Sequence, residues 1–551
     1  MPVYNSASAR NIGIIETATA RLIHKTSRWQ APIAGPATIA AIDIGSNSIH
    51  MVTARLGAGG HFEIVDRAKE MVRLGRGTLT HGSLSAEAME YGLRTLSTFK
   101  QLAERQRAEP ILAVATSAVR EAANGGEFVL RAWEELGLHI DVITGTEEAR
   151  LIFEAARHAV DFRGHRPLVV DIGGGSVEVV QGSGPRILWQ QSLKLGVART
   201  AERFLHSDPP KASEVAALRD HARRKLAPLF ARARRSRPTL MVGTSGTLLN
   251  LTAMAAAQRY GKIPALLHNR VLRRSELREL CGLLLARSTE ERARMAGLDR
   301  RRVDLIAAGA VLAEVLMDGL AMREMRACEW ALREGIIVDF LATHPDYADE
   351  AEWVPDIRRR SVLRMATRFE VDEPHARHVA ALALGLFDAS APIHRLGARE
   401  RELLEYAALL HDVGLYLSHS KHHRHSHYLI TNANLRGFTA EEIQVIATAA
   451  RFHKGALPKS TSEEVSETAP EVRDRAIKLA AILRLADSFD RSHHGIVKSF
   501  DVVRGDQGVE LVLQTGGDDA ELALWAANRK SDLWRKCFDV PLTIRMAEHS
   551  R

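Results

Sequence analysis

Two short stretches of this 551-residue sequence place an acid, a glycine and small polar side chains in the same order: Asp43-Ile44-Gly45-Ser46-Asn47-Ser48 and Asp171-Ile172-Gly173-Gly174-Gly175-Ser176. Each follows an apolar run, Ile39 to Ile42 and Leu168 to Val170, that reads as a strand. Glycine lets a backbone approach a phosphate, and the N–H and hydroxyl groups beside it face the phosphate oxygens. Three successive glycines leave no Cβ between ligand and backbone. An aspartate at the end of each strand holds Mg²⁺ against a polyphosphate, directly or through water. Ser46, Asn47, Ser48, Gly173, Gly174, Gly175 and Ser176 are therefore candidate phosphate contacts, and Asp43 and Asp171 candidate metal ligands. Taken singly, either stretch reads equally well as a tight hairpin turn, where Asp and Gly are common. Their recurrence favours phosphate, as does a third loop, Gly243-Thr244-Ser245-Gly246-Thr247, which adds Gly243, Ser245, Gly246 and Thr247 to the candidates.

The elements that must position these loops also repeat. After Asp43, strands are expected over 49–55, 62–72 and 111–116 and ending at 142–143, with helices over 85–107, 126–136 and 146–158. After Asp171, strands follow over 177–181, 187–192 and 239–242. Strand, turn, strand, strand, helix occurs twice, which is a distant duplication of domain-sized units. Glu147 and Glu148 open the 146–158 helix, where an acid complements the helix dipole, and for one of the pair that reading suffices. The strand signal then disappears from about 350 to 499 in favour of helix. It returns over 499–503, 509–513 and 542–546, with a helix near 519–535. The expected organisation is a loose extension over 1–37, ending in the Pro/Gly stretch from Pro32 to Pro36. Two α/β domains follow over 38–148 and 149–345, then an all-α domain over 346–497 and a small α/β subdomain over 498–551.

Within the helical stretch, the adjacent His411-Asp412 pair offers one metal two successive ligands. With His378 upstream and Asp487 downstream, it resembles the four-ligand pattern of the HD phosphohydrolase superfamily, which implies a second divalent metal there. The histidine-rich run that follows reads either as a metal tract or as a cationic path for a long anion. Lys421, His422, Arg424, His425 and His427 would line that path, joined by His453 and Lys454, and this second reading is the better one.

Composition bounds the alternatives. Hydrophobic residues make up 46% and charged residues 26%, the balance of a globular chain. No apolar run is long enough to span a bilayer, so no membrane association is expected. Cys281, Cys328 and Cys537 are scattered, with neither disulfide framework nor zinc spacing, and a reducing cytoplasm is the simplest setting. The net charge of +8 admits an acidic partner, but aromatics at 5% do not interleave with basic clusters, against a nucleic-acid platform.

The loops match the pattern of the actin, sugar-kinase and exopolyphosphatase superfamily. The finer text resembles the exopolyphosphatase / guanosine pentaphosphate phosphohydrolase family, through Ala41 to Ser48, Thr116-Ser117-Ala118-Val119-Arg120, Gly145-Thr146-Glu147-Glu148-Ala149-Arg150, Asp171 to Glu178, Gly243 to Thr247, and Ala331-Leu332-Arg333-Glu334-Gly335. The resemblance spans roughly residues 38–510. It implies duplicated RNase-H-like domains, an HD-like helical domain and a homodimer. It implies too that Glu148 is the base that activates water, that Glu178 assists or binds metal, and that Arg120 contacts phosphate. The helical domain would shape a polyphosphate channel. The expected activity is Mg²⁺-dependent release of terminal orthophosphate from inorganic polyphosphate, with guanosine pentaphosphate as the alternative substrate. A sugar-kinase-type ATP-dependent kinase and a non-enzymatic polyphosphate or alarmone sensor are less favoured. The Glu148 motif suits water as acceptor, and the acids are intact.

Overall fold

A computed structural model describes residues 37–57, 61–344, 356–433, 435–458, 469–505, 508–515 and 520–547. The expected extension therefore lies outside the described residues, apart from Ala37. The chain forms two compact units, divided between residues 344 and 356.

The first unit contains two mixed sheets of matching topology. In one, β1 (Thr38–Ile44), β2 (Ile49–Gly57), β3 (His61–Glu70), β4 (Ala108–Ala115) and β5 (Ile140–Val142) lie in the order β3-β2-β1-β4-β5. In the other, β6 (Pro167–Ile172), β7 (Val177–Ser183), β8 (Arg186–Leu193), β9 (Leu240–Thr244), β10 (Val271–Arg273) and β11 (Glu324–Ala327) lie in the order β10-β11-β9-β6-β7-β8. β1 pairs antiparallel with β2 and parallel with β4, and β6 stands in the same relation to β7 and β9. The duplication seen in the sequence is thus a duplication of topology. β1 and β6 sit inside their sheets with neighbours on both sides. That position accounts for their apolar runs, with every residue of β6 buried. β10 and β11 are strands the sequence did not announce. They are three and four residues long and carry no apolar run.

Between the sheets, helices Gly145–Arg157 and Leu332–Thr343 share one core, in which Phe153, Phe340 and Trp330 pack with residues of both sheets. A Cβ on Gly335 would stand 2.1 Å from the Leu151 carbonyl oxygen, so glycine sets how closely these helices cross. The division expected at 148/149 falls inside the first of these helices. The restart of a motif marks a repeat but does not show which half a connecting helix packs against. That helix begins at Gly145 rather than Thr146, with Thr144 as its cap: the Glu147 N–H donates to Thr144 Oγ1 at 3.2 Å.

The second unit is helical from Ile357 to Phe489 and ends in a sheet of order β12-β13-β14, built from Ser499–Gly505, Gly508–Gln514 and Leu542–Met546. Leu511, Leu513, Ile544 and Trp534 join the same core as the helices, so sheet and helices are one packed body. The single helix expected near 519–535 is two, Glu521–Lys530 and Asp532–Phe538. Among the described residues, no helix is long and apolar enough to cross a membrane.

Candidate active site

The two Asp-led stretches are hairpin turns and phosphate-loop candidates at once. In each, a glycine N–H closes the turn on the carbonyl three residues on, Gly45 to Ser48 at 3.1 Å and Gly173 to Ser176 at 3.0 Å. In each, the leading aspartate faces a side chain seven residues later across the hairpin, Asp43 opposite His50 and Asp171 opposite Glu178. The loops then meet. A Cβ on Gly174 would lie 3.1 Å from Ser46 Cβ, and one on Gly175 only 2.4 Å from Ser117 Oγ. The glycine run is therefore explained first by the close approach of the two halves. Gly173 and Gly174 still line the cleft, whereas Gly175 is turned onto Ser46 and Ser117.

The cleft between the halves encloses about 350 Å³ and is lined by Asp43, Ser46, Asn47, Ser48, Glu148, Asp171, Gly173, Gly174, Ser176 and the third loop at Ser245, Gly246 and Thr247. Ser245 is held at φ 75°, a left-handed conformation that costs a non-glycine residue about 1–3 kcal/mol and clusters at functional sites. Its hydroxyl and the Asn47 Nδ2 are buried without a hydrogen-bond partner, as is Arg333 Nε. Unsatisfied groups of this kind, converging on one cavity, are donors waiting for an acceptor. Gly243 serves packing instead: a Cβ there would strike Met325 Sδ at 2.2 Å.

Asp43, Glu148, Asp171 and Glu329 line this cleft, whereas Glu178, buried opposite Asp171, does not line it. Glu148 is 8% exposed, Asp171 8% and Glu178 1%. Burial and the neighbouring charge of Glu178 push Glu148 well above the usual carboxylate range, with Arg120 pulling the other way. Burial, reinforced by Asp171, raises Glu178 to about 7, offset by hydrogen bonds from Ser192 and Ser176. Ser192 Oγ donates to Glu178 Oε1 at 2.7 Å. Burial also raises Asp43 to about 7, against the pull of Arg333. It raises Asp171 to about 6, against the hydroxyl of Thr244, which donates to Asp171 Oδ2. Asp171 raises Asp43, Glu148 and Glu178 alike, a local excess of negative charge that fits a bound divalent ion even though Arg67, Lys69, Arg302 and Arg333 line the same cavity. The cleft acids are not drawn into a tight three-ligand group among the described residues. That spread suits Mg²⁺, which keeps waters and shares its shell with substrate phosphates.

Arg120 does not line the cavity. It donates to the Ile143 carbonyl at 2.7 Å and to Glu148 Oε2 at 3.2 Å, so it orients the carboxylate. Glu147 pairs with Arg150 at 2.7 Å, and Arg150 also holds Asp339, so this acid is engaged away from the cleft. Gly145 brings the helix start onto β8: a Cβ there would lie 2.5 Å from Ser192 Oγ.

The cations of the cleft were not legible from residue type and spacing. Arg333 donates to His50 Nδ1 at 2.8 Å, so His50 carries its proton on Nε2, 2.7 Å from Ser48 Oγ. Lys69 and Arg302 line the same cavity, and Arg302 lies so close on Gly246 that a Cβ would stand 2.0 Å from its guanidinium. The repeat held a signal for His50, which occupies the register position of Glu178. None marked Arg302 within its run of arginines.

In the second unit, His411, Asp412 and Asp487 come together, but His378 does not join them. Its Nε2 is bonded to the Val497 carbonyl at 2.9 Å, and His375, one turn earlier on the same helix, takes the place expected of it. Two histidines three apart share a helix face, and spacing alone does not choose between them. His422 is buried beside Asp412 rather than lining a path. Lys421 and Arg424 are exposed, and His425 and His427 half-buried, along the His422–Asn432 helix. His375, His411 and Asp412 form one group, and Asp412, His422 and His453 another, that could each hold a divalent metal.

Two families of comparison agree with this geometry. Residues 52–344 match the Ppx/GppA phosphatase family, and residues 357–523 match domain III of the same family. An exopolyphosphatase from Cytophaga hutchinsonii is 30% identical, covering 55% of this chain and 98% of its own, with a TM-score of 0.53. An exopolyphosphatase-like protein is 26% identical over 56% of this chain and 99% of its own, with a TM-score of 0.52. The Ppx/GppA family member from Aquifex aeolicus is 28% identical over 56% and 98%, with a TM-score of 0.48. With its two matched sheets, its helical HD-like region and its small terminal sheet, the chain belongs to the Ppx/GppA phosphatase family.

Proposed function

We propose that the cleft hydrolyses the terminal phosphoryl group of inorganic polyphosphate and releases orthophosphate. The observation that carries this reading is the state of Glu148. It is buried at the cleft wall, raised by burial and by Glu178, and oriented by Arg120. A carboxylate raised in this way is a stronger base towards water than an ordinary one. The water oxygen forms a bond to the terminal phosphorus as its proton passes to Glu148. The bridging P–O bond breaks, and the shortened chain keeps the electron pair on its new terminal oxygen. The Asn47 side-chain amide and the Ser245 hydroxyl bind the phosphate oxygens, while Lys69, Arg302 and Arg333 balance the remaining charge. Asp43, Asp171 and Glu178 would hold Mg²⁺, which supplies neutralisation of the phosphate chain.

The helical unit, with Lys421 and Arg424 exposed and His425 half-buried beside them, is read as a surface for longer chains. Division into the four globular segments expected from the sequence, cytoplasmic location and homodimer formation belong to the same reading. Orthophosphate release from polyphosphate, guanosine pentaphosphate and ATP tests it. Release from polyphosphate should be fastest. Faster release from guanosine pentaphosphate would transfer the assignment to a nucleotide substrate, and faster release from ATP would reject both.

A further inference from the structure

Six side chains in the second unit converge on one buried point. They are His375 from helix Glu373–Ala389, His411 and Asp412 at the end of helix Ala398–Leu410, His422, His453, and Asp487 from helix Pro470–Phe489. Asp487 Oδ1 lies 3.5 Å from His411 Nε2 and 3.8 Å from His375 Nε2. Asp412 divides its two oxygens: Oδ2 stands 3.7 Å from His411 Nε2, whereas Oδ1 stands 3.2 Å from His422 Nε2 and 3.5 Å from His453 Nε2. All four histidines are at most 4% exposed.

The ring nitrogens facing away decide the chemistry. His375 Nδ1 is 2.8 Å from Asp490 Oδ2, His411 Nδ1 2.6 Å from the Ala408 carbonyl, His422 Nδ1 3.2 Å from the His419 carbonyl, and His453 Nδ1 2.6 Å from the Ala450 carbonyl. Every one of these partners only accepts, so each Nδ1 carries a proton. In the neutral imidazoles each Nε2 is then a bare lone pair aimed at the carboxylates. His375, His411 and His422 Nε2 and Asp412 Oδ1 are buried with no hydrogen bond. Lone pairs facing lone pairs in a buried cluster repel unless a cation stands between them, either a proton shared with a carboxylate or a metal ion. A histidine fixed by an acceptor on its far nitrogen is also how metal-ligating imidazoles are held.

We propose that this cluster binds two divalent metal ions bridged by Asp412. One ion is held by His375, His411, Asp487 Oδ1 and Asp412 Oδ2, and the other by His422, His453 and Asp412 Oδ1. Lys530 pairs with the remaining Asp487 oxygen and leaves a single oxygen of that residue for metal. Four imidazoles against two carboxylates select Mn²⁺, Fe²⁺ or Zn²⁺ over Mg²⁺. The second ion has three protein ligands, so its free positions take water or an oxygen of inorganic phosphate, with Lys454, in electrostatic reach of Asp412 and Asp487, to favour an anion. This site is separate from the cleft and does not rest on its assignment.

The test is metal content and electron paramagnetic resonance on the full chain, stripped with chelator and reloaded with Mn²⁺. Two ions per chain and an exchange-coupled spectrum are expected. The paired His422→Ala/His453→Ala variant should bind one ion and show an isolated-Mn²⁺ spectrum, and Glu148→Gln should keep both ions and the coupling. Orthophosphate should alter the coupled spectrum. One ion or none in the folded wild-type protein, or two without coupling, overturns the proposal, and the wild-type measurement decides even where a variant fails to fold. A coupled spectrum indifferent to phosphate would overturn the open-position part.

Discussion

At the scale of the residue, Glu148 is set apart by what it lacks. It has one cation, Arg120, and three other acids around it in a buried cleft. A base that is raised in pKa works only once deprotonated, so the acid limb of the activity profile should lie above the usual carboxylate range. Arg120 lowers the Glu148 pKa, so Arg120→Ala should move the acid limb of the kcat profile to higher pH while also reducing the maximum. A limb that stays in place would show that Arg120 acts elsewhere. The identity of this acid was legible in the sequence only through the resemblance of its motif. Helix-start position did not separate Glu147 from Glu148. Their partners do, because Glu147 turns to Arg150 and Glu148 to the cleft.

At the scale of the element, the two hairpins work because their glycines let one half touch the other. In a Gly175→Ala variant the new methyl would meet Ser117 Oγ and Ser46 Oγ. Overpacking of this kind costs about 1–3 kcal/mol, and the loops should part enough to lose activity. Ser117→Ala in the same chain removes the nearest of those atoms and should restore part of the activity. Thermal melts and kcat of the single and double variants check the coupling, and strictly additive losses would contradict it. The strands and their turns were readable because β1 and β6 are continuous apolar runs that stop at Asp and Gly. Short edge strands such as β10 were not, since three residues carry no pattern. His375 was missed for a similar reason: His378 shares its helix face, and only the Val497 carbonyl reveals which histidine is already engaged.

At the scale of the whole molecule, the crowded acids of the first unit link stability to pH and to divalent ions. Asp43, Asp171, Glu148 and Glu178 all have folded pKa values raised above their ordinary ones. Their contribution to stability is therefore full at low pH and is lost as pH rises through about 6 to 7, where Asp171, Asp43 and Glu178 titrate. Without divalent ions the first unit should melt at lower temperature at pH 8 than at pH 5.5. Mg²⁺ should raise the melting temperature more at the higher pH, by ligand linkage. An Asp43→Asn/Asp171→Asn variant should lose much of both effects, and scanning calorimetry with and without chelator would detect it. The helical unit should add a salt-sensitive affinity for long chains. Replacing Lys421 and Arg424 with Glu should raise KM for long polyphosphate more than for short, with the difference shrinking as salt screens the charges.

The most direct test of the central claim is orthophosphate release from saturating polyphosphate by Glu148→Gln. Loss of a general base should lower kcat by about 100- to 10,000-fold with the fold and melting temperature preserved. A variant that retains wild-type kcat within a few-fold would remove Glu148 as the group that activates water.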